Sequence, residues 1–274
     1  MNTNEPDSHG QFAIKTSQLT RQFGRLVAVD HIELTVAYKT IFGLLGTNGA
    51  GKSTMIKMLT TLLPPTSGSA EVGGFDIIKA PAKVRRHIGY VPQLLSADGA
   101  LTGYENLLLS ARLYGLKSAE TRSQIKDALT FMGLAEVAKK LVRTYSGGMI
   151  RRLELAQAML HRPAILFLDE PTIGLDPVAR HLVWDRLRDL RRDYGMTVLI
   201  TTHDMEEAET LCDTLAILQS GRVSVIGAPA DLRLGIGADA TMDDVFIHYA
   251  GNLQHEGDGY SNVAQSRHST QRFG

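Results

Sequence analysis

Between Phe12 and Val36 apolar and polar residues alternate, as in Ile32-Glu33-Leu34-Thr35-Val36. A period of two predicts antiparallel strands over 12–19 and 26–36, each with one wet face. An apolar run, Ile41-Phe42-Gly43-Leu44-Leu45, then leads into a glycine-rich stretch and a helix-like segment from Ser53 to Leu63. Gly68 to Ile77 predicts a hairpin turning at Gly73-Gly74, and Ile88 to Val91 a buried strand ending at Pro92-Gln93. From Thr102 to Val142 the period lengthens to that of helices. Leu109, Leu113 and Leu116 share one face, Ile125, Leu129 and Met132 another, and Gly133 is placed as a stop. Leu153, Ala156 and Leu160 continue at helical spacing after Ser146-Gly147-Gly148. The continuous apolar run Ala164 to Leu168 predicts a central parallel strand covered on both faces. A helix over 177–193, a strand over 197–201, and a strand pair closing around Ser220-Gly221-Arg222 complete the pattern.

The chemistry lies where the apolar runs end. Gly46, Gly51, Lys52 and Ser53 fit the phosphate-loop pattern, with a strand before it and a helix after it as that pattern requires. Glycines 46, 49 and 51 let the backbone curl with its N–H groups inward, and the helix start adds its positive dipole end, which favours a polyphosphate. Lys52 is expected to reach the β and γ phosphates and Ser53 to put its hydroxyl on Mg2+, an ion that takes few protein oxygens. The strand 164–168 ends in Asp169-Glu170, whose side chains point to opposite faces. One is expected to face Mg2+ and the other the attacking water. His203 ends the next strand, on the rim where phosphates would lie. Ser146 is either a plain N-cap or part of a second anion-binding helix start. Phe23, in a predicted loop with Arg21, Gln22 and Gly24, is either a core side chain or an aromatic that stacks on a base.

Composition narrows the classes. Lysine plus arginine equals aspartate plus glutamate at 29 each, so no net field favours nucleic acid or an anionic bilayer. The pairs Arg85-Arg86, Arg151-Arg152 and Arg191-Arg192 are expected to be solvated helix faces. The single Cys212 excludes an intrachain disulfide, suits a reducing compartment and is read as a small core residue. No apolar stretch approaches the length of a membrane span and Met1 to Gly10 is polar, so any membrane part is expected on another chain. The histidines show no metal-ligand spacing. Residues 1–10 are expected to be disordered and 251–274, rich in Gly, Ser, Gln and His, to form a flexible tail.

Taken together and in order, these motifs make residues from about Ile14 to Ala250 resemble an ABC-type nucleotide-binding subunit. The resemblance implies an α/β fold over 11–250: a P-loop NTPase core with a mixed central sheet, an N-terminal antiparallel β subdomain, and a helical signature subdomain at about 100–160. It makes Phe23 the adenine-stacking aromatic and Gly46, Thr47, Asn48, Gly49, Ala50, Gly51, Lys52, Ser53 and Thr54 the Walker A loop that binds ATP. Gln93 becomes the Q-loop glutamine, sensing metal and water. Ser146, Gly147 and Gly148 are the signature, Asp169 and Glu170 the Walker B end, Asp176 the D-loop and His203 the switch histidine on the γ-phosphate. Ser53, Gln93 and Asp169 would serve Mg2+, with Glu170, His203, Gln93 and Lys52 catalytic. The implied partners are a second copy, in a head-to-tail ATP sandwich, and an integral membrane permease whose coupling helix docks on 102–142. Nucleic acid is not expected, and the implied location is cytoplasmic, peripheral on the inner face of the cell membrane.

The chain departs from the commonest family pattern at Tyr145 and Met149, which flank Ser-Gly-Gly, at Lys39-Thr40, and at Thr47. Retention of Ser-Gly-Gly leaves hydrolysis expected, while Lys39-Thr40 bears on the tightness of one turn. Tyr145-Ser146-Gly147-Gly148-Met149, Leu101 to Leu107 and Thr241 to Phe246 together resemble bacterial drug-resistance exporter subunits, similar to daunorubicin-exporter ATPases. With 24 residues after 250, the C-terminal regulatory domain of many importer ATPases is not expected. The competing reading is a soluble ABC ATPase acting as a nucleotide switch on ribosomes or DNA; neutral charge, one nucleotide domain and the lack of a long coiled-coil insertion count against it.

Overall fold

The computed structural model describes residues 12–251; the expectations for 1–10 and for the tail beyond Gly251 lie outside the described residues. In chain order the elements are β1 (Ile14–Phe23), β2 (Leu26–Val36), β3 (Ile41–Leu45), α1 (Lys52–Leu59), β4 (Ser67–Val72), β5 (Phe75–Asp76), α2 (Pro81–His87) and β6 (Ile88–Val91). There follow α3 (Gly103–Leu113), α4 (Ser118–Phe131), α5 (Gly147–Met159), β7 (Ile165–Asp169), α6 (Pro177–Tyr194), β8 (Thr197–Thr202) and α7 (Met205–Leu211). The described chain closes with β9 (Thr214–Gln219), β10 (Arg222–Gly227), α8 (Pro229–Ile236) and α9 (Met242–Gly251).

Two sheets form. The N-terminal one is antiparallel in the order β2-β1-β4-β5. The other is mixed, in the order β10-β9-β3-β8-β7-β6, with β9, β3, β8, β7 and β6 parallel and β10 antiparallel to β9. The mixed α/β architecture implied by the sequence is the one found.

The unbroken apolar runs of β3, β7 and β8 follow from burial on both faces, because alternate side chains enter different cores. Leu166, Leu168, Val198 and Ile200 pack with α5, α6 and the helical region in one core. Ile165, Phe167 and Leu199 pack with α1 and the antiparallel sheet in the other. Phe167 is fully buried, so truncating it to alanine would cost about 3–5 kcal/mol.

Helix boundaries follow their caps. Thr102 and Glu105 make a reciprocal capping box at α3, Ser146 accepts from the Met149 N–H at α5, and Asp176 accepts from the Ala179 N–H at α6. Two expectations need correcting. Phe23 ends strand β1 opposite Leu26 rather than sitting in a loop. On α3, Leu107 and Ala111 are buried while Leu109 and Leu113 face outward. Lys39 adopts the left-handed conformation (φ 60°), which a residue with a Cβ takes at a cost of about 1 kcal/mol. The β2–β3 turn nevertheless forms, with the Lys39 N–H donating to Thr197 Oγ1 at 2.9 Å and the Thr40 hydroxyl to the Ala37 carbonyl at 2.8 Å.

Candidate functional site

The carboxyl ends of β3, β7 and β8 converge where open α/β sheets present their ligand sites. The turn from β3 into α1 is shaped by close approaches that exclude a side chain. A Cβ on Gly46 would stand 2.5 Å from the Leu218 carbonyl oxygen, and one on Gly51, whose φ is 108°, would stand 2.4 Å from the Ala28 oxygen. Ala50 is buried beneath the loop, while Thr47, Asn48 and Gly49 are exposed on its outer arc.

Lys52, only 5% exposed, donates to the Gly46 and Thr47 carbonyls at 2.7 and 3.2 Å and pairs with Glu170 Oε1 at 3.1 Å. Two of its donors are thus hydrogen-bonded to loop carbonyls, and Glu170 Oε1 is held by charge rather than by a hydrogen bond. Ser53 donates to Asp169 Oδ1 at 3.0 Å. Glu170 Oε2 lies 2.8 Å from His203 Nδ1. The two adjacent acids thus divide their contacts: Asp169 meets the loop serine, Glu170 the loop lysine and the histidine. Glu170 itself has φ 51°, a left-handed conformation that costs a non-glycine residue about 1–3 kcal/mol. Its N–H is held by both the Oγ1 and the carbonyl of Thr201, at 2.9 and 3.2 Å.

A cleft of about 460 Å³ opens beside Lys52, Ser53 and Glu170. Phe23, Thr47, Asn48, Gly49, Gly51, Lys52, Ser53, Thr54, Gln93 and Glu170 all line it. Phe23 is 44% exposed there, with the Arg21 guanidinium 4.5 Å from its ring centroid. The donor set fits a polyphosphate with a hard cation: backbone N–H groups, a lysine, and Ser53 and Asp169 oxygens already in contact. Among the described residues no three His, Cys, Asp or Glu side chains are grouped to hold a metal ion by themselves.

The structure does not bring every candidate into this cleft. Gly46, Ala50, Asp169 and His203 are outside its lining, Asp169 and His203 reaching it only through Ser53 and Glu170, and Ser146, Gly147, Gly148 and Asp176 are outside it too. Ser146, Gly147 and Asp176 are exposed, the serine and aspartate capping their own helices, and Gly148 packs against α6, where an added Cβ would be 2.7 Å from Ala179 Cβ. The unusual Tyr145 is seated by its hydroxyl, which donates to the Val137 carbonyl at 2.7 Å, and by Gly103, whose missing side chain leaves room for that oxygen.

Several residues important to this geometry escaped the sequence reading. Thr201, fully buried, donates to Asp169 Oδ1 at 2.6 Å while accepting from the Glu170 N–H, so one hydroxyl holds both acids. Glu207 is buried and accepts from Thr172 at 2.7 Å and from the Trp184 indole at 2.9 Å, tying the turn after Glu170 to α6 and α7. Burial pushes its carboxyl above the usual range. Arg151, expected on a solvated face, is buried against Glu154; the i,i+3 pairing of opposite charges on one helix was the available signal. Cys212 is the core residue expected, its thiol pushed well up by burial.

Comparison with known proteins points one way. The family described as ABC transporter matches residues 29–173. The daunorubicin/doxorubicin resistance ATP-binding protein DrrA of Streptomyces peucetius is 44% identical over 83% of this chain and 68% of its own length. The Nod factor export ATP-binding protein I of Sinorhizobium fredii is 42% identical over 89% of this chain and 70% of its own. Among solved structures, the dimeric post-hydrolysis state of the ATP-binding cassette MJ0796 bound to ADP and Pi superposes with a TM-score of 0.70. It is 25% identical, covering 78% of this chain and 98% of that one.

Proposed function

Because the chain belongs to the ABC transporter family, as an ATP-binding, ATPase subunit of the drug-resistance and export type, we propose that it drives efflux of a drug-like, lipid or other small-molecule cargo through a separate membrane permease. In this reading two copies close head to tail on ATP, and the subunit sits on the inner face of the membrane. No helix among the described residues is long and apolar enough to cross a bilayer, in keeping with a permease on another chain.

The observation that carries the reading is the meeting of Lys52, Glu170 and His203 in one set of contacts, beside the contact of Ser53 with Asp169, at the carboxyl ends of the parallel strands. Lys52 and the loop amides cradle the phosphates of ATP. Ser53 and Asp169, with Gln93 lining the same cleft as Ser53, would hold Mg2+, which would neutralise charge on the phosphates. Glu170 accepts a proton from, or orients, the attacking water, and His203 fixes the Glu170 carboxylate and reaches the γ-phosphate. Phe23 stacks on adenine. Such catalysis is chiefly positioning and charge stabilisation, which suits a site built from preformed contacts rather than a nucleophile. Ser146, Gly147, Gly148 and Asp176 face the nucleotide held by the other copy.

Light scattering on Glu170→Gln tests this. Magnesium and ATP together are expected to convert monomer to dimer, with turnover lowered about 100-fold or more. Turnover at the unmodified rate would remove Glu170 from the water's side. A variant that stays monomeric, alone and with the permease, would overturn the sandwich.

A further inference from the structure

The segment carrying Gln93 has little of its own to hold it in place. Leu94 and Leu95 are 81% and 52% exposed, so neither anchors the loop by burial. Its fixed points are polar, and they come from the helical region. The buried Arg151 guanidinium of α5 donates through Nη1 to the Pro92 carbonyl at 2.8 Å and through Nη2 to the Gln93 carbonyl at 2.9 Å. The same Nη1 pairs with Glu154 Oε2 at 3.0 Å, and Glu154 Oε1 accepts from the Ser96 N–H and from the Ser96 hydroxyl. Farther along, Asn106 of α3 exchanges hydrogen bonds with the Asp98 backbone at 2.9 and 3.0 Å.

We propose that Arg151 and Glu154 are positioning residues for hydrolysis: a buried ion pair that clamps the backbone on both sides of Gln93, so that the loop glutamine and the Ser146-Gly147-Gly148 turn of the same helix move as one body. Stability does not account for the pair. A buried ion pair commonly adds little over apolar residues of equal volume, and Arg151 Nε finds no partner here. What the planar guanidinium supplies is geometry, since one rigid fork reaches two successive carbonyls, and a lysine ammonium on a flexible stem cannot reproduce that fork. Arg151 lies one turn from Gly147, so the clamp links the part of the chain presented to another copy with a residue lining this chain's own cleft.

This rests on Gln93 acting in hydrolysis, so the test separates the two. Steady-state turnover of the full chain is compared for Gln93→Ala, Arg151→Met and the double variant. Arg151→Met is expected to lower kcat about ten-fold with the KM for ATP changed by less than about two-fold. In the Gln93→Ala background the same change should cost less than about two-fold, because a residue acting through Gln93 has nothing left to position. Losses that multiply, or an Arg151→Met variant at the unmodified rate beside a slow Gln93→Ala, overturn the clamp. Gln93→Ala at the unmodified rate overturns instead the role of Gln93, and the clamp with it. Should Arg151→Met fail to fold, Arg151→Lys and Glu154→Gln carry the same test. Each is expected to lose several-fold in kcat at unchanged KM, and unchanged kcat in both refutes the proposal.

Discussion

The chain has two glycine-rich helix starts, and they differ in what demands their glycines. At the phosphate loop the demand is internal: side chains at Gly46 and Gly51 would strike the Leu218 and Ala28 carbonyls. Lys52 and Ser53 at that helix start already have partners in Gly46, Thr47, Glu170 and Asp169. At the second start, Gly147 is exposed, and an added Cβ would meet only Leu175 Cδ2 at an ordinary 3.4 Å. Gly148 beside it is fixed from within, since a Cβ there would stand 2.7 Å from Ala179 Cβ, but nothing among the described residues requires a glycine at 147. On the function proposed above, the first helix start is the half-site this chain completes, and Gly147 is the position left for the nucleotide of a second copy.

Breaking the finished half should have the largest effect. Lys52→Ala removes the ammonium from the loop and leaves Glu170 buried with His203 as its remaining side-chain contact. ATP turnover is expected to fall by about 10³-fold, from loss of phosphate stabilisation. Nucleotide binding followed by calorimetry together with turnover checks it, and ordinary activity would undo the phosphate-loop assignment. Part of any loss of thermal stability belongs to the unpaired carboxylate, since breaking a buried pair costs about 3–5 kcal/mol.

The contrast between the glycines is sharpened by Gly147→Ala. The substitution meets only Leu175 Cδ2, at 3.4 Å, and at the first helical position alanine is the better helix former. The melting temperature and the ATP affinity of the monomer should therefore hold, while turnover and ATP-driven dimerisation fall by about 50-fold or more, as when a preorganised donor is lost. Gly46→Ala should instead damage folding and binding together. If Gly147→Ala dimerises and turns over normally, the second helix start is a plain capped helix and the comparison fails.

How much of this was legible depended on whether the deciding contact was local. The phosphate loop was, because its spacing sits between a strand and a helix in one stretch of chain. The run Ile165 to Leu168 declared a strand buried on both faces, and the structure divides it between two cores. The buried face of α3 was not legible, because Leu107, Leu108 and Leu109 are consecutive and the helix is apolar around much of its circumference. Arg151 was misread since its carbonyl partners lie almost sixty residues away, on a loop whose path only the packed fold decides. The sandwich role of Ser146 to Gly148 was suggested by resemblance alone; the geometry adds that nothing nearby uses Gly147.

Thr201 belongs with these long-range contacts, and it offers the smallest and most local test of the finished half-site. It faces Asp169 because β7 and β8 run parallel with Asp169 opposite Thr201, a register invisible to periodicity. Valine would keep the shape but lose the hydroxyl that donates to Asp169 and accepts from Glu170. The Glu170 N–H would still reach the Thr201 carbonyl and Asp169 would still receive Ser53, so the half-site should loosen rather than collapse. A hydrogen bond to a charged group contributes about 1.5–3 kcal/mol, so Thr201→Val should slow turnover about ten-fold or somewhat more, and raise the Mg2+ concentration for half-maximal rate. Thr201→Ser restores the hydroxyl and should recover most of both. If Val and Ser behave alike, packing rather than the hydroxyl sets the two acids, and the phosphate-loop half owes less to preformed hydrogen bonds than its distances suggest.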